Sequence, residues 1–367
     1  MREVVEEEKR RDEAENRQRS EENLKHFQQP STYFGYIAGT STRGLIAIML
    51  GRLKLTVDEC IEQYEIIGET IFAHPRRFHV QNKLWLCSKF DWRNVEGALT
   101  QVVNKYAPNG LNQNDLGQGP WTKFREQVTD GEHHCKTVAV AVKDNGDAVT
   151  TYLFRSYVHP VISGQYYALN PDNIGCEADI VDVARATSAA PGYFKVFEVG
   201  DHKFMDGGVQ ADNPATFAWR EVVQMARNND TNTTAGKAIA CFLSIGTGKS
   251  KYEIFGRKVQ SRAHEAATPY FRFNVKEGLQ DVKLDERTEK NRKVRNDNTE
   301  KEEKISMSTL AYLQFVTEAY LASKETMVPR AAEVSVMDEV QRCATKLVDY
   351  RRARERISLS TTNGNAT

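Results

Sequence analysis

The run Tyr33-Phe34-Gly35-Tyr36-Ile37-Ala38-Gly39-Thr40-Ser41-Thr42-Arg43-Gly44-Leu45-Ile46-Ala47-Ile48-Met49-Leu50 constrains this chain more than any other stretch. Aromatic and β-branched residues lead into a Gly-Thr-Ser-Thr turn, and an apolar run of helical spacing follows at once. That grammar is strand, sharp turn, helix, with Ser41 at the apex. A tight turn of this kind holds a hydroxyl clear of the backbone at the positive end of a helix. The helix is apolar all round and so has to be buried in a sizeable domain. Gly39 stands two residues before Ser41, where strand and helix approach most closely. The elbow pattern G-x-S-x-G also asks for glycine two residues after the serine; Arg43 stands there, with Gly44 one step later. Read alone, the turn leaves three uses open: a nucleophile elbow, a cradle of free amides for phosphate, or a helix cap.

Size and charge narrow the setting. The 367 residues suffice for one large α/β domain with extensions or for two domains. Lys and Arg number 50 and Asp and Glu 50, so a nucleic-acid partner is not expected. The first 25 residues are mostly charged and unlike a signal peptide, and the longest apolar run, Leu45 to Leu50, is too short for a membrane span. Cys60, Cys87, Cys135, Cys176, Cys241 and Cys343 are scattered without the paired spacing of a disulfide framework or zinc site. The expectation is a reduced, cytoplasmic protein.

Along the chain, residues 1 to 25 carry opposite charges three or four apart and predict an exposed helix. Thr56-Val57-Asp58-Glu59 opens a helix to about Phe72, and Trp92 to Lys105 predicts another, with Val95, Leu99, Val102 and Val103 inward. His74 to Lys89 and Asn109 to Pro120 read as irregular. Lys136 to Val142 and Val149 to Phe154, around Asp144-Asn145-Gly146-Asp147, predict a β-hairpin. A helix over Ile180 to Ala189, strands over Phe194 to Val199 and Lys203 to Met205, a helix over Pro214 to Ala226 and a buried strand over Ala238 to Ile245 follow. Lys276 to Lys304 is charged enough to be partly disordered, before helices over Thr309 to Ser323 and Arg330 to Arg356.

Ser41 needs a base. A Ser-acid-His order would have to draw on His202 or His264, and neither follows a clear strand directly. Asp206 ends a strand and is followed by Gly207 and Gly208, a tight open turn with amides close to the carboxylate. A carboxylate can take a serine proton without histidine; an ordinary Asp-Gly turn explains the same residues. Gly248-Lys249-Ser250 suggests a phosphate loop, but Leu243 stands where that pattern needs its first glycine, and a strand-to-loop turn accounts for it. Arg76, Arg77, Lys83, Trp85, Lys89 and Trp92 mix charge with aromatic rings, as a membrane-facing or simply solvated loop does.

Together these stretches resemble the patatin-like phospholipase family, and look most like its fungal members. The resemblance rests on Tyr36 to Thr42 with its helix, on Ala184-Arg185-Ala186-Thr187-Ser188-Ala189-Ala190-Pro191, on Phe204-Met205-Asp206-Gly207-Gly208 with Asn213-Pro214, and on Ser244 to Gly248. It covers about residues 5 to 325. It implies a three-layer α/β/α sandwich and lipid acyl hydrolysis by a Ser–Asp dyad, with Ser41 as nucleophile, Asp206 as base, Gly39, Thr42, Arg43 and Gly44 as elbow and oxyanion residues, and Gly207 and Gly208 as the base loop. No cofactor or metal is implied, and the partner is a lipid at a membrane surface, met by a peripheral protein.

The chain departs from the family pattern in two places. The family's elbow reads Gly-Thr-Ser-Thr-Gly-Gly, and Arg43 replaces its fifth residue. A long side chain there is expected to strain the packing unless its guanidinium turns outward, toward a headgroup phosphate or Asp206. The family's Asp-Gly-Gly-Gly-x-Arg-Gly oxyanion loop has no counterpart before Gly35, the first glycine, as if the chain began just after it, with the first strand missing. The expected domains are a charged helix over 1–30, a patatin-like domain over 31–275, and a charged linker with C-terminal helices over 276–367. The expected activity is that of a phospholipase A2-like ester hydrolase, with a catalytically impaired lipid-binding homologue as the alternative.

Overall fold

Lys136–Asp144 (β2) places small and β-branched side chains at nearly every position, so both of its faces can be buried, and the sheet forms around it. The computed structural model describes residues 1–76, 88–106, 122–126, 133–159, 178–248, 254–275, 289–295, 302–327 and 332–364, with single positions between 278 and 286. The chain divides into two compact units, Met1–Ile239 with Leu347–Thr367, and Ala240–Lys346.

The first unit contains α1 (Arg2–Ala14), α2 (Glu21–His26), β1 (Tyr36–Thr40), α3 (Thr42–Ala47, continued by a π-turn over Ile48–Arg52), α4 (Val57–Phe72), α5 (Trp92–Lys105), β2, β3 (Val149–Arg155), α6 (Ile180–Thr187), β4 (Phe197–Val199), β5 (His202–Asp206), α7 (Ala215–Asn229) and α8 (Ala235–Ala238). β3 runs antiparallel along one edge of β2 from Val138 to Asp144. β1 and β5 therefore share the other edge. β1 runs parallel to β2 until Thr40 lies opposite Val140, and β5 runs antiparallel until Asp206 lies opposite Ala141. The two strand ends meet head-on at the middle of β2.

Alternation along the strands sets the layers. Ala139, Ala141, Tyr152, Phe154 and Phe204 face a core filled by Leu45, Ile48 and Met49, by α4 and α5, and by Val183 and Ala184 of α6. Val138, Val140, Leu153 and Tyr157 face the other way, against Phe217 and Met225 of α7. Helices thus cover both faces of the sheet, the three-layer α/β/α order. Locally the helices start where their caps say. Thr56 and Glu59 form a reciprocal capping box on α4, and α5 buries Val95, Leu99, Val102 and Val103 on one stripe.

Several sequence expectations change. The segment 1–25 is not an exposed helix throughout: Val4, Glu8 and Asp12 form a buried stripe on α1. Glu8 pairs with Arg351 and Arg352, and Asp12 with Arg352 and Arg19. These arginines satisfy carboxylates that the sequence could only place in water. Arg77, Lys83, Trp85 and the Asn109–Pro120 loop lie outside the described residues; Arg76 pairs with Asp91 at 2.9 Å.

The second unit contains β6 (Phe242–Ile245), α9 (Ile254–Glu265), β7 (Tyr270–Phe273), β8 (Lys290–Arg295), β9 (Glu302–Met307), α10 (Thr309–Ala322), β10 (Lys324–Met327), β11 (Ala332–Ser335) and the start of α11 (Val336–Gly364), which from Leu347 onward belongs to the first unit. The strand expected over Ala238 to Ile245 is shorter and only partly buried: it starts at Phe242, Ser244 is buried, and Ile245 is 70% exposed. It pairs in parallel with β7, Phe242 opposite Tyr270 and Ile245 opposite Phe273. A Cβ on Gly246 would sit 2.1 Å from Asn274 Oδ1, and the Gly248 amide donates to the same oxygen at 2.9 Å. A close backbone approach to Asn274 thus explains these glycines; Lys249 and Ser250 lie outside the described residues. The described part of 276–304 includes β8, which pairs antiparallel with β9. The helix expected from Arg330 starts only at Val336, because β10 and β11 form an antiparallel pair before it. Among the described residues no helix is long and apolar enough to cross a membrane.

Candidate active site

Thr40 ends β1 fully buried, its hydroxyl donating to the Ala211 carbonyl at 2.9 Å. The next residue turns sharply, and Ser41 has φ 59° and ψ −133°. A non-glycine residue there is strained by on the order of 1–3 kcal/mol and persists only where its surroundings over-determine it. Three contacts do so. The Ser41 amide donates to Thr187 Oγ1 at 3.1 Å, and the Ser41 carbonyl accepts from the amides of Gly44 at 2.8 Å and Leu45 at 3.3 Å. The Thr187 hydroxyl in turn donates to the Val140 carbonyl at 2.6 Å, which ties the turn to the middle of β2.

Two glycines make the turn possible. A Cβ on Gly39 would lie 2.1 Å from the Arg43 carbonyl oxygen, and one on Gly44 would lie 2.6 Å from Thr187 Oγ1. Close packing in the turn therefore falls on positions 39 and 44. The Arg43 side chain runs outward instead, and its Nη2 donates to Asp212 Oδ1 at 2.5 Å, so its partner is Asp212 and not Asp206. Thr42 opens α3 as its first residue.

Asp206 arrives from the opposite direction along the same edge of β2. The Ser41 hydroxyl donates to Asp206 Oδ2 at 2.5 Å, and the Gly208 amide donates to Asp206 Oδ1 at 2.7 Å. Gly207 crosses the point where the strand ends meet: a Cβ there would be 2.3 Å from the Val140 carbonyl oxygen and 2.8 Å from the Thr40 methyl. Burial raises the Asp206 pKa above the ordinary carboxylate value; the Ser41 hydroxyl, the Gly208 amide and the charge of Arg43 oppose this in part, and Asp212 adds to it. A buried carboxylate with two neutral donors keeps much of its proton affinity, as a general base requires. His202, weighed as a base, starts β5, at the opposite end of that strand from Asp206.

The structure thus brings together Ser41, Asp206, Gly39, Thr42, Gly44, Gly207 and Gly208, with Arg43 at the rim. Sequence reasoning missed Thr187 and Asp212. Thr187 lay in a motif carrying the family resemblance, but its contact with the Ser41 amide joins residues 146 positions apart. Asp212 gave no signal. A second buried cluster also went unread: Arg155 binds Glu221 at 2.6 and 3.0 Å, and Tyr157 donates to Glu221 at 2.7 Å.

The family model of the patatin-like phospholipases matches residues 24–219, which include Ser41 and Asp206. Human calcium-independent phospholipase A2-gamma is 26% identical over 224 residues, covering 60% of this chain and 25% of that protein. From Arabidopsis thaliana, phospholipase A I is 25% identical over 250 residues, 59% of this chain and 18% of its own, and patatin-like protein 3 is 26% identical over 253 residues, 63% and 53%. This chain spans 25% of the length of the human relative. With a family match over more than half of its residues and a strand–serine–helix turn facing a buried carboxylate, the chain belongs to the patatin-like phospholipase family.

Proposed function

We propose that this chain is a serine acyl hydrolase that cleaves fatty-acyl esters of phospholipids or related lipids at the membrane surface through Ser41 and Asp206. The observation that carries the reading is the 2.5 Å hydrogen bond from the Ser41 hydroxyl to Asp206, made at a strained elbow. As Ser41 Oγ attacks the ester carbonyl carbon, Asp206 takes its proton. The tetrahedral intermediate collapses by breaking the bond to the alcohol oxygen, which leaves with the proton returned by Asp206, and the acyl group remains on Ser41. Water then gives a proton to Asp206 and attacks the acyl carbon; the fatty acid leaves, and Ser41 recovers its proton.

The oxyanion needs donors about 2.7–3.1 Å away. The Thr42 amide, at the start of α3, is the first of them, because the opening amides of a helix have no intrahelical acceptor. The Gly208 amide is engaged by Asp206 and does not serve. With the Gly208 amide engaged in this way, a second reading is a chain that binds lipid esters but turns them over weakly. Fluorophosphonate labelling separates the two, since it requires an activated serine. The proposal expects covalent modification of the full chain that vanishes in Ser41→Ala, together with release of fatty acid from a short-chain phospholipid. Labelling without release supports the second reading; labelling that survives Ser41→Ala overturns the assignment of Ser41.

A further inference from the structure

Arg43 occupies the rim of the candidate site with donors to spare. Its guanidinium carries five N–H groups, and among the described residues its one hydrogen bond goes to Asp212 at 2.5 Å. The side chains are 27% and 65% exposed, so this is an ion pair open to solvent, of a kind that contributes little and exchanges readily. Arg155, by contrast, is buried and grips both oxygens of Glu221. Arg43 also stands close enough to the dyad for its charge to act on Asp206. Asp206 and Asp212 would by themselves repel an anion here, and among the described residues Arg43 is the cation that pairs with Asp212 and acts on Asp206. A phosphate diester or monoester offers two oxygens to a guanidinium fork and competes well with a single carboxylate contact.

We infer that Arg43 binds the phosphate of a phosphate-bearing lipid ester, with Asp212 holding the guanidinium in place until the phosphate displaces it. Arg43 is thereby a specificity-determining residue, favouring phospholipids over neutral glycerides. The kinetic part rests on the reading of Ser41 as nucleophile; the binding part does not.

The test compares dihexanoyl phosphatidic acid with dihexanoyl glycerol on the full chain. Arg43→Gln should lower the ratio of kcat/KM for the phosphate-bearing ester to that for the neutral one by about 10–100-fold, with Arg43→Lys intermediate because it keeps the charge but loses the fork. Asp212→Asn should raise the ratio, and should do nothing in the Arg43→Gln background, since Asp212 acts through Arg43. An unchanged ratio in Arg43→Gln overturns the inference, and so does a fall in Asp212→Asn matching that of Arg43→Gln, because a purely structural tie loses the same from either side. In parallel, titration calorimetry of dihexanoyl phosphatidic acid into the Ser41→Ala chain should give a Kd that weakens about 10–100-fold on adding Arg43→Gln. If no variant hydrolyses either ester, the hydrolase reading fails while calorimetry still decides this one. Equal affinity with and without Arg43 overturns it, as does inorganic phosphate binding as tightly as the lipid, which would make free phosphate the ligand.

Discussion

Two carboxylates in the first unit meet opposite fates. Asp206 is 5% exposed and Glu221 2%, and for both the largest influence is burial, which disfavours the charged form. The difference is the partners. Asp206 accepts from a hydroxyl and an amide, both neutral, and its proton affinity stays raised. Glu221 is gripped by the Arg155 guanidinium and by Tyr157, and its pKa is lowered. A carboxylate held by neutral donors remains available to take a proton; one locked to a guanidinium is a fastening between α7 and the end of β3. Burial alone does not mark a base. The charge of its donors does.

The comparison can be broken most severely at the dyad. Ser41→Ala and Asp206→Asn should each lower kcat/KM for a short-chain phospholipid by roughly 10⁴-fold or more, and the double variant should lose little beyond either single one, because paired groups act as a unit. Glu221→Gln, assayed beside them, should retain activity at temperatures where it is folded. Losses that simply multiply would mean that the two residues do not work as one device.

Stability should reverse that ranking. Glu221→Gln leaves the Arg155 charge buried without its counter-ion, at about 3–5 kcal/mol, read as a lower urea midpoint at neutral pH. The folded-state pKa of Glu221 is depressed, so its contribution is fully present above the ordinary value of 4.5 and is lost as pH falls through the folded value. The gap between wild type and variant should therefore close on acidification; a gap independent of pH would assign the cost to packing.

Thr187→Val tests the support of the elbow. The swap keeps the shape but leaves the Ser41 amide and the Val140 carbonyl without their partner, at about 1–3 kcal/mol. Activity should fall by roughly tenfold as the turn relaxes. Unaltered kinetics with lowered stability would show that Thr187 braces the sheet and not the serine.

The smallest effect sharpens the contrast by sign. The raised pKa of Asp206 means that its ionised form is costly in the folded state above that pKa, and that this cost fades as pH falls toward the ordinary value of 3.8. Asp206→Asn should therefore be more stable than wild type at pH 7 by about 1 kcal/mol, a few degrees in Tm, with the advantage shrinking in acid. Destabilisation at pH 7 would place Asp206 in the same class as Glu221.

What this chain's sequence determined by itself is local. The capping box at Thr56, the apolar stripe of α5, the β2–β3 hairpin and the strand–turn–helix around Ser41 were all legible, because each depends on residues within a few positions and on the periods of helix and strand. Family resemblance extended that reading to the layers of the fold. Tertiary structure alone decided what depends on distant partners. β1 and β5 share one edge of β2 and meet at Val140 and Ala141, which brings Ser41 within 2.5 Å of a carboxylate 165 positions away. The charged stripe of α1 is buried because Arg351 and Arg352, more than 300 positions later, neutralise it. Arg43 finds Asp212, which nothing nearby in the chain foretells. The physical reason is the same in each case. Hydrogen bonding within a helix or hairpin is written in local spacing, whereas the environment that sets a charge's cost and its chemistry is assembled from whichever strands and helices the fold brings alongside it.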